Sequence, residues 1–169
     1  MSLLETSTPF THEYWMKLAL REAEKAFDLG EVPIGCVIVR ENKVIAKGHN
    51  LTEQMKDATA HAEMMAITSA CEHLESRYLV NTTLYVTIEP CPMCAGAIVL
   101  SRIPRLVFGA YDIKAGACGT LYNITEDKRL NHQVHTIGGT MDAQCAGLVQ
   151  EYFRTLRVQD NEKRKGPTP

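Results

Sequence analysis

Apolar residues recur at helical spacing over 12–29, where Trp15, Leu18, Ala19, Ala23, Ala26 and Phe27 share one side. Thr11 suits the N-cap and Gly30 the C-terminal cap of that helix. The period then shortens. Residues 34–40 and 43–49 are β-branched runs separated by Glu41-Asn42, which predicts a hairpin. A helix is expected over 61–75, with Met64, Ile67, Cys71 and Leu74 along one face. A strand over 83–88 stops at Glu89-Pro90, and a short apolar helix follows over 92–101. Further strands are expected at 105–111 and 134–138, and a closing helix over 141–157 carries Leu148, Tyr152 and Leu156 at helical spacing. After the hairpin, strands alternate with helices, which predicts parallel strands joined by crossover helices in an α/β fold. A mixed sheet covered on both faces follows. Between Asp112 and Gln133 the periodicity is weak, and a loop of that length in a compact domain is often functional.

Length then bounds the organisation. The 169 residues suit one domain, placed at 1–158, with 159–169 expected as a flexible C-terminal tail. The net charge of −2 makes no global case for nucleic acid, so an RNA partner needs a local basic patch. No apolar stretch is long enough to span a bilayer, and MSLLETSTPF lacks the layout of a signal peptide, so a cytoplasmic protein without membrane contact is expected. Cysteines in such a chain read as thiols or metal ligands rather than disulfides. Of the six, only Cys91 and Cys94 have ligand-like spacing.

Those two carry the strongest chemical signal. Pro90-Cys91-Pro92-Met93-Cys94 follows a strand and opens a helix. With Cys91 as N-cap, Pro92 takes the first helical position, where its missing N–H costs nothing. The positive helix end favours thiolate over thiol. Two thiolates at this spacing can hold one Zn²⁺. His61, at the start of another helix in His61-Ala62-Glu63, is the candidate third ligand. Three ligands leave a fourth position open, and Glu63 is the candidate proton carrier beside it. Residues i and i+2 diverge in mid-helix, so His61 and Glu63 can converge only off the helix end. H-x-E followed by P-C-x-x-C is a known pattern of zinc deaminases of nucleobases.

The segments HEYWMKLAL, EVPIGCVIV, AHAEMMAI, LYVTIEPCPMCAGAIVLSRI, VFGAYDIKAGACGTLYNI and LNH resemble bacterial tRNA-specific adenosine deaminases of the TadA type, within the cytidine-deaminase-like superfamily. The resemblance implies a three-layer α/β/α sandwich around a mixed five-stranded sheet, one Zn²⁺ per subunit and a homodimer. It implies hydrolysis of adenosine to inosine at the wobble position of a tRNA anticodon stem-loop, in bacteria usually that of an arginine tRNA. It further implies that Asn50 and the Ala62 N–H meet the flipped base and that Val32 and Pro33 form part of its apolar wall. Asp112 and Lys114 are implied near the RNA backbone, Asn131 and His132 beside the anticodon loop, and Phe153, Arg154 and Arg157 on a helix flanking the RNA. Tyr111 stands where close relatives often carry a basic residue. Plainer alternatives stand beside these: Asn50 as a turn residue, and Asp112 and Lys114 as solvated loop charges. Deaminases of free guanine, cytosine or deoxycytidylate share the same two motifs. A structural zinc site closed by Cys71 or Cys118 is the non-catalytic alternative.

Overall fold

The computed structural model describes residues 10–165. Ten elements follow in order: α1 (His12–Asp28), β1 (Gly35–Arg40), β2 (Lys43–His49), α2 (Thr52–Met55), α3 (Ala62–His73), β3 (Thr83–Ile88), α4 (Pro92–Leu100), β4 (Arg105–Ala110), β5 (His135–Ile137) and α5 (Asp142–Lys165). Thr11 caps α1 by accepting from the Tyr14 N–H, and Gly30 lies just past its C-cap at φ +75°.

The sheet order is β2-β1-β3-β4-β5. The hairpin is antiparallel, β1 and β3 are antiparallel, and β3, β4 and β5 run parallel. This is the expected mixed five-stranded sheet. Central strands β1 and β3 are buried on both faces, whereas edge strand β2 alternates between exposure and burial. On one face, Cys36, Ile38, Leu84, Val86, Leu106 and Phe108 pack against Ala62, Ala66 and Ile67 of α3 and Ala95, Ile98 and Val99 of α4. On the other, Val37, Val39, Tyr85 and Val107 pack against Trp15, Met16 and Ala19 of α1 and Cys145 of α5. Side chains alternate between the two cores along each strand, which makes the three-layer α/β/α sandwich.

Small residues let the layers close. A Cβ at Gly48 would overlap the Ala62 carbonyl, so the start of α3 rests directly on the end of β2. That contact places His61 at the same sheet edge as the end of β3.

The segment between β4 and β5 is a long loop, 111–134, as expected, and it joins two parallel strands. Two features differ from the sequence expectation. The short helix α2 was not expected; a distant buried carboxylate, described below, caps it. Helix α5 continues to Lys165, past the expected end at Arg157. The apolar stripe ends near Leu156, but the following Gln, Glu, Lys and Arg residues favour helix, and no breaker occurs before Gly166-Pro167. Residues 166–169 of the expected tail and residues 1–9 of the expected domain lie outside the described residues.

Candidate active site

Two helix N-termini meet at one edge of the sheet. His61 is the N-cap of α3 and Cys91 the N-cap of α4; both have extended backbone and neither side chain caps its own helix. Pro92 takes the first helical position and Cys94 lies in the first turn of α4, as expected. The His61 ring is therefore free to turn toward the sulfurs. Its Nδ1 lies 3.6 Å from the Sγ of Cys91 and 3.6 Å from that of Cys94.

Those spacings fit a metal. Zn–N near 2.0 Å and Zn–S near 2.3 Å at a tetrahedral angle separate nitrogen from sulfur by about 3.5 Å. The three donor atoms lie within 4.8 Å of one another, and no other Cys, His, Asp or Glu among the described residues joins this group. Cys118 approaches the Pro90 carbonyl instead, and Cys71 packs at the rim of the α3 core. Neither closes the site with a fourth sulfur. Without a metal the three donors hold one another through shared protons. Hydrogen bonding from Cys94, and from His61, pulls the Cys91 thiol down to about 4. Cys94, as the donor to that thiolate, is raised, and His61 is raised by its bond to Cys91. A divalent cation placed here replaces the shared proton.

Glu63 is buried beside this cluster at 4% exposure. Burial pushes its carboxyl up to about 7, and neighbouring Cys91 adds to the shift, while hydrogen bonds from its own backbone and Cys94 oppose it. Because His61 sits at the N-cap rather than in mid-helix, the i, i+2 divergence does not apply, and both side chains reach one site.

Asn50 follows β2 and is buried; its Oδ1 accepts the Ala62 N–H at 3.0 Å. The two groups expected to meet a base are thus joined to one another. Pro33 is buried and Val32 half-buried, just before β1. The Asn50 N–H donates to the Ile34 carbonyl at 3.2 Å, which ties the Val32-Pro33 segment to Asn50.

Residues 9–110 match the family of the cytidine and deoxycytidylate deaminase zinc-binding region. The tRNA-specific adenosine deaminase of Bacillus subtilis is 48% identical over 153 residues, covering 90% of this chain and 95% of that protein. That of Aquifex aeolicus is 48% identical over 145 residues, covering 86% and 95%. The chain belongs to the tRNA-specific adenosine deaminase family. A solved structure from work on A-to-I editing by tRNA:A34 deaminases superposes with a TM-score of 0.76 at 42% identity, covering 79% of this chain and 97% of that one. A guanine deaminase from Bacillus subtilis superposes less well, with a TM-score of 0.60 at 37% identity over 66% of this chain and 71% of that one.

The outer residues of this deaminase are spread widely. The Asp112 Oδ1 accepts the N–H groups of Lys114 and Ala115, so this carboxylate shapes its own loop while Lys114 is exposed. Phe153, Arg154 and Arg157 are exposed along α5, where Arg154 pairs with Glu151 at 3.5 Å. Asn131 and His132 lie elsewhere. The Asn131 carbonyl accepts from Arg102 and His132 bonds the Ile103 carbonyl at 2.8 Å, both just past the C-terminal end of α4. The cysteines are at the other end of that helix, on the order of 13 Å away at 1.5 Å per residue.

Sequence reasoning missed the site's supports. Glu89 is 2% exposed and accepts from the N–H groups of Asp112, Cys118 and Thr120 and from the Thr120 hydroxyl. It pins the long loop to the strand end that precedes Cys91. Its signal was present: a carboxylate ending a strand buried on both faces must find donors. Glu31, fully buried, was missed in the same way.

Proposed function

We propose that this chain is a zinc-dependent hydrolase that converts adenosine to inosine at the wobble position of a tRNA anticodon, the usual bacterial substrate class being an arginine tRNA. The observation that carries this reading is the triangle of His61, Cys91 and Cys94 with the buried carboxylate of Glu63 beside it, in a chain of this family. Zn²⁺ held by those three donors supplies Lewis acidity and makes water a competent nucleophile near neutral pH. Glu63 moves two protons in turn: its carboxylate takes one from the attacking water and gives it to the purine ring nitrogen as the C6–O bond forms, then takes the proton of the new C6 hydroxyl and gives it to the amine, which leaves as ammonia when the C6–N bond breaks. Burial supports that role, because a carboxylate with a raised pKa can both accept and return a proton.

The target adenosine leaves its stack and enters between Val32-Pro33 and Asn50, at a cost of a few kcal/mol for unstacking. Asn50, with its Oδ1 on the Ala62 N–H, offers its Nδ2 to the base, and the Ala62 N–H lies beside it at the same edge, so that the amino-bearing carbon faces the cluster. Lys114, with Asp112 shaping its loop, and Phe153, Arg154 and Arg157 flank the RNA strand. Asn131 and His132 stand too far along α4 to serve the cluster of their own chain. In a homodimer, they reach RNA bound to the second copy. The protein works in the cytoplasm, where its RNA is; no helix among the described residues is long and apolar enough to cross a membrane.

The test is inosine and ammonia formation from an anticodon stem-loop against release from free adenine, guanine, cytosine and deoxycytidylate. Turnover of the stem-loop alone is the expected result. Faster turnover of a free base or nucleotide would replace this reading with that of a small-molecule deaminase.

A further inference from the structure

Asn50 is bracketed by two buried carboxylates that the chemistry does not use. Glu22 of α1 is 4% exposed; its two oxygens take the Lys25 ammonium at 2.7 Å and His49 Nδ1 at 3.2 Å. Glu31, just beyond α1, is 0% exposed. It accepts the Thr52 hydroxyl at 3.1 Å, the Glu53 N–H at 3.1 Å and the Gln54 N–H at 2.7 Å. One acid therefore holds the residue before Asn50, and the other holds the turn that begins two residues after it.

A carboxylate is acceptor-only, and burying one without donors costs far more than burying an apolar group. Sliding segment 49–54 relative to α1 would take away the three Glu31 donors and the His49 contact of Glu22, leaving Glu22 only Lys25. Burial acts to raise the Glu31 carboxyl, but the Gln54, Glu53 and Thr52 hydrogen bonds, with Lys56 nearby, hold it below its ordinary value. Between the two anchors, the Leu51 N–H donates to the Ala60 carbonyl at 3.0 Å and the Asn50 Oδ1 receives the Ala62 N–H. The restraint thus passes to the start of α3.

We propose that Glu22 and Glu31 are positioning residues, a carboxylate clamp that sets the Asn50 amide against Ala62 and the Val32-Pro33 wall for base recognition. The role in recognition rests on the function proposed above; the clamp geometry does not. Neither acid touches the metal donors or the reacting atoms.

Zinc-loaded parent, Glu31→Gln, Asn50→Ala and the double variant are compared on an anticodon stem-loop. A misplacement near 1 Å costs roughly 100-fold, so Glu31→Gln lowers kcat/KM by about 10- to 100-fold, mostly in kcat. Once Asn50 is gone, the same substitution costs less than about threefold, because coupled residues are non-additive. Glu31→Asp recovers part of the loss, and Glu22→Gln repeats the non-additivity. Thr52→Val removes one donor and serves if Glu31→Gln does not fold; its smaller loss likewise disappears without Asn50. An equal loss in both backgrounds, or no loss in the first, would overturn the clamp. Exchange of the Ala62 amide is a readout independent of substrate: it quickens about tenfold or more in Glu31→Gln if the Asn50 contact loosens. Unchanged exchange would overturn the clamp. Faster exchange in Glu31→Gln, with a parent that makes no inosine, would uphold the clamp and refute the substrate assignment.

Discussion

The two ends of the sheet use their interior differently. At the end where β3 stops, four acids or amides are buried: Glu63 and Glu89, each two positions from a metal donor, Asn50, bonded to the Ala62 N–H, and Glu31, which holds the turn at 52–54. At the opposite end, α1, β1, β3, β4 and β5 leave a broad cavity of about 770 Å³, lined by Trp15, Val39, Tyr85, Arg105, His135 and Ile137 among others. None of its lining residues is a metal donor. Its lining mixes apolar and polar side chains; His12 bonds the Tyr85 hydroxyl at 2.9 Å and Arg105 donates to the Thr83 hydroxyl at 3.0 Å. The comparison teaches that concavity does not locate the chemistry. Buried charge does, because it persists only where other groups hold it.

The largest expected effect breaks the metal end outright. Cys94→Ala removes one of three donors, and elemental analysis is expected to find zinc lost and deamination abolished. Stoichiometric zinc in that variant would contradict the donor set. Next, Glu63→Gln keeps zinc by the same analysis but lowers kcat by about 10²- to 10⁴-fold, the usual reach of a general acid–base group. Turnover within tenfold of the parent would remove Glu63 from its role.

A smaller effect is expected where Glu89 holds the long loop. A Cβ at Gly116 would overlap both the Glu89 carboxylate and the Asp112 carbonyl. Gly116→Ala therefore destabilises by about 1–3 kcal/mol, as overpacking does, and raises KM for the stem-loop; thermal melting and steady-state kinetics check the two parts. At the opposite end, Tyr85→Phe loses one hydrogen bond and costs about 1 kcal/mol, with kcat/KM unchanged. A loss of activity there would show that the two ends are coupled.

The smallest effect concerns acid. The Glu31 carboxyl titrates below its ordinary value when folded, so its stabilisation is complete above the ordinary carboxylate range. It is lost as pH falls through the depressed folded value. The Tm gap between parent and Glu31→Gln should be widest at neutral pH and narrow toward acid. A gap that widens on acidification would reverse the sign of the Glu31 shift.

Much of this was legible in one dimension. Helical period marked α1, β-branched runs marked the hairpin, and short apolar runs bounded by Pro or turn residues marked β3, α4 and β4, each to within a residue or two, because an element buried on one face shows a repeat and one buried all round shows a continuous apolar run. The end of α5 was not, because its last turns are polar on every side and depend on propensity and the absence of a breaker. Helix α2 was not either, because its cap is Glu31, some twenty positions earlier in the chain.

From the order of residues alone came the donor atoms and their local geometry: two cysteines one helical turn apart behind a proline, and a histidine and a glutamate opening another helix. Short-range stereochemistry decides such things. Only the tertiary structure decided which groups share a space. It brought His61 to the sulfurs, kept Cys71 and Cys118 away from them, joined Asn50 to Ala62, and set Asn131 and His132 at the far end of α4. The physical reason is that a buried polar group is stable only with its partners, and those partners are chosen by how the layers pack.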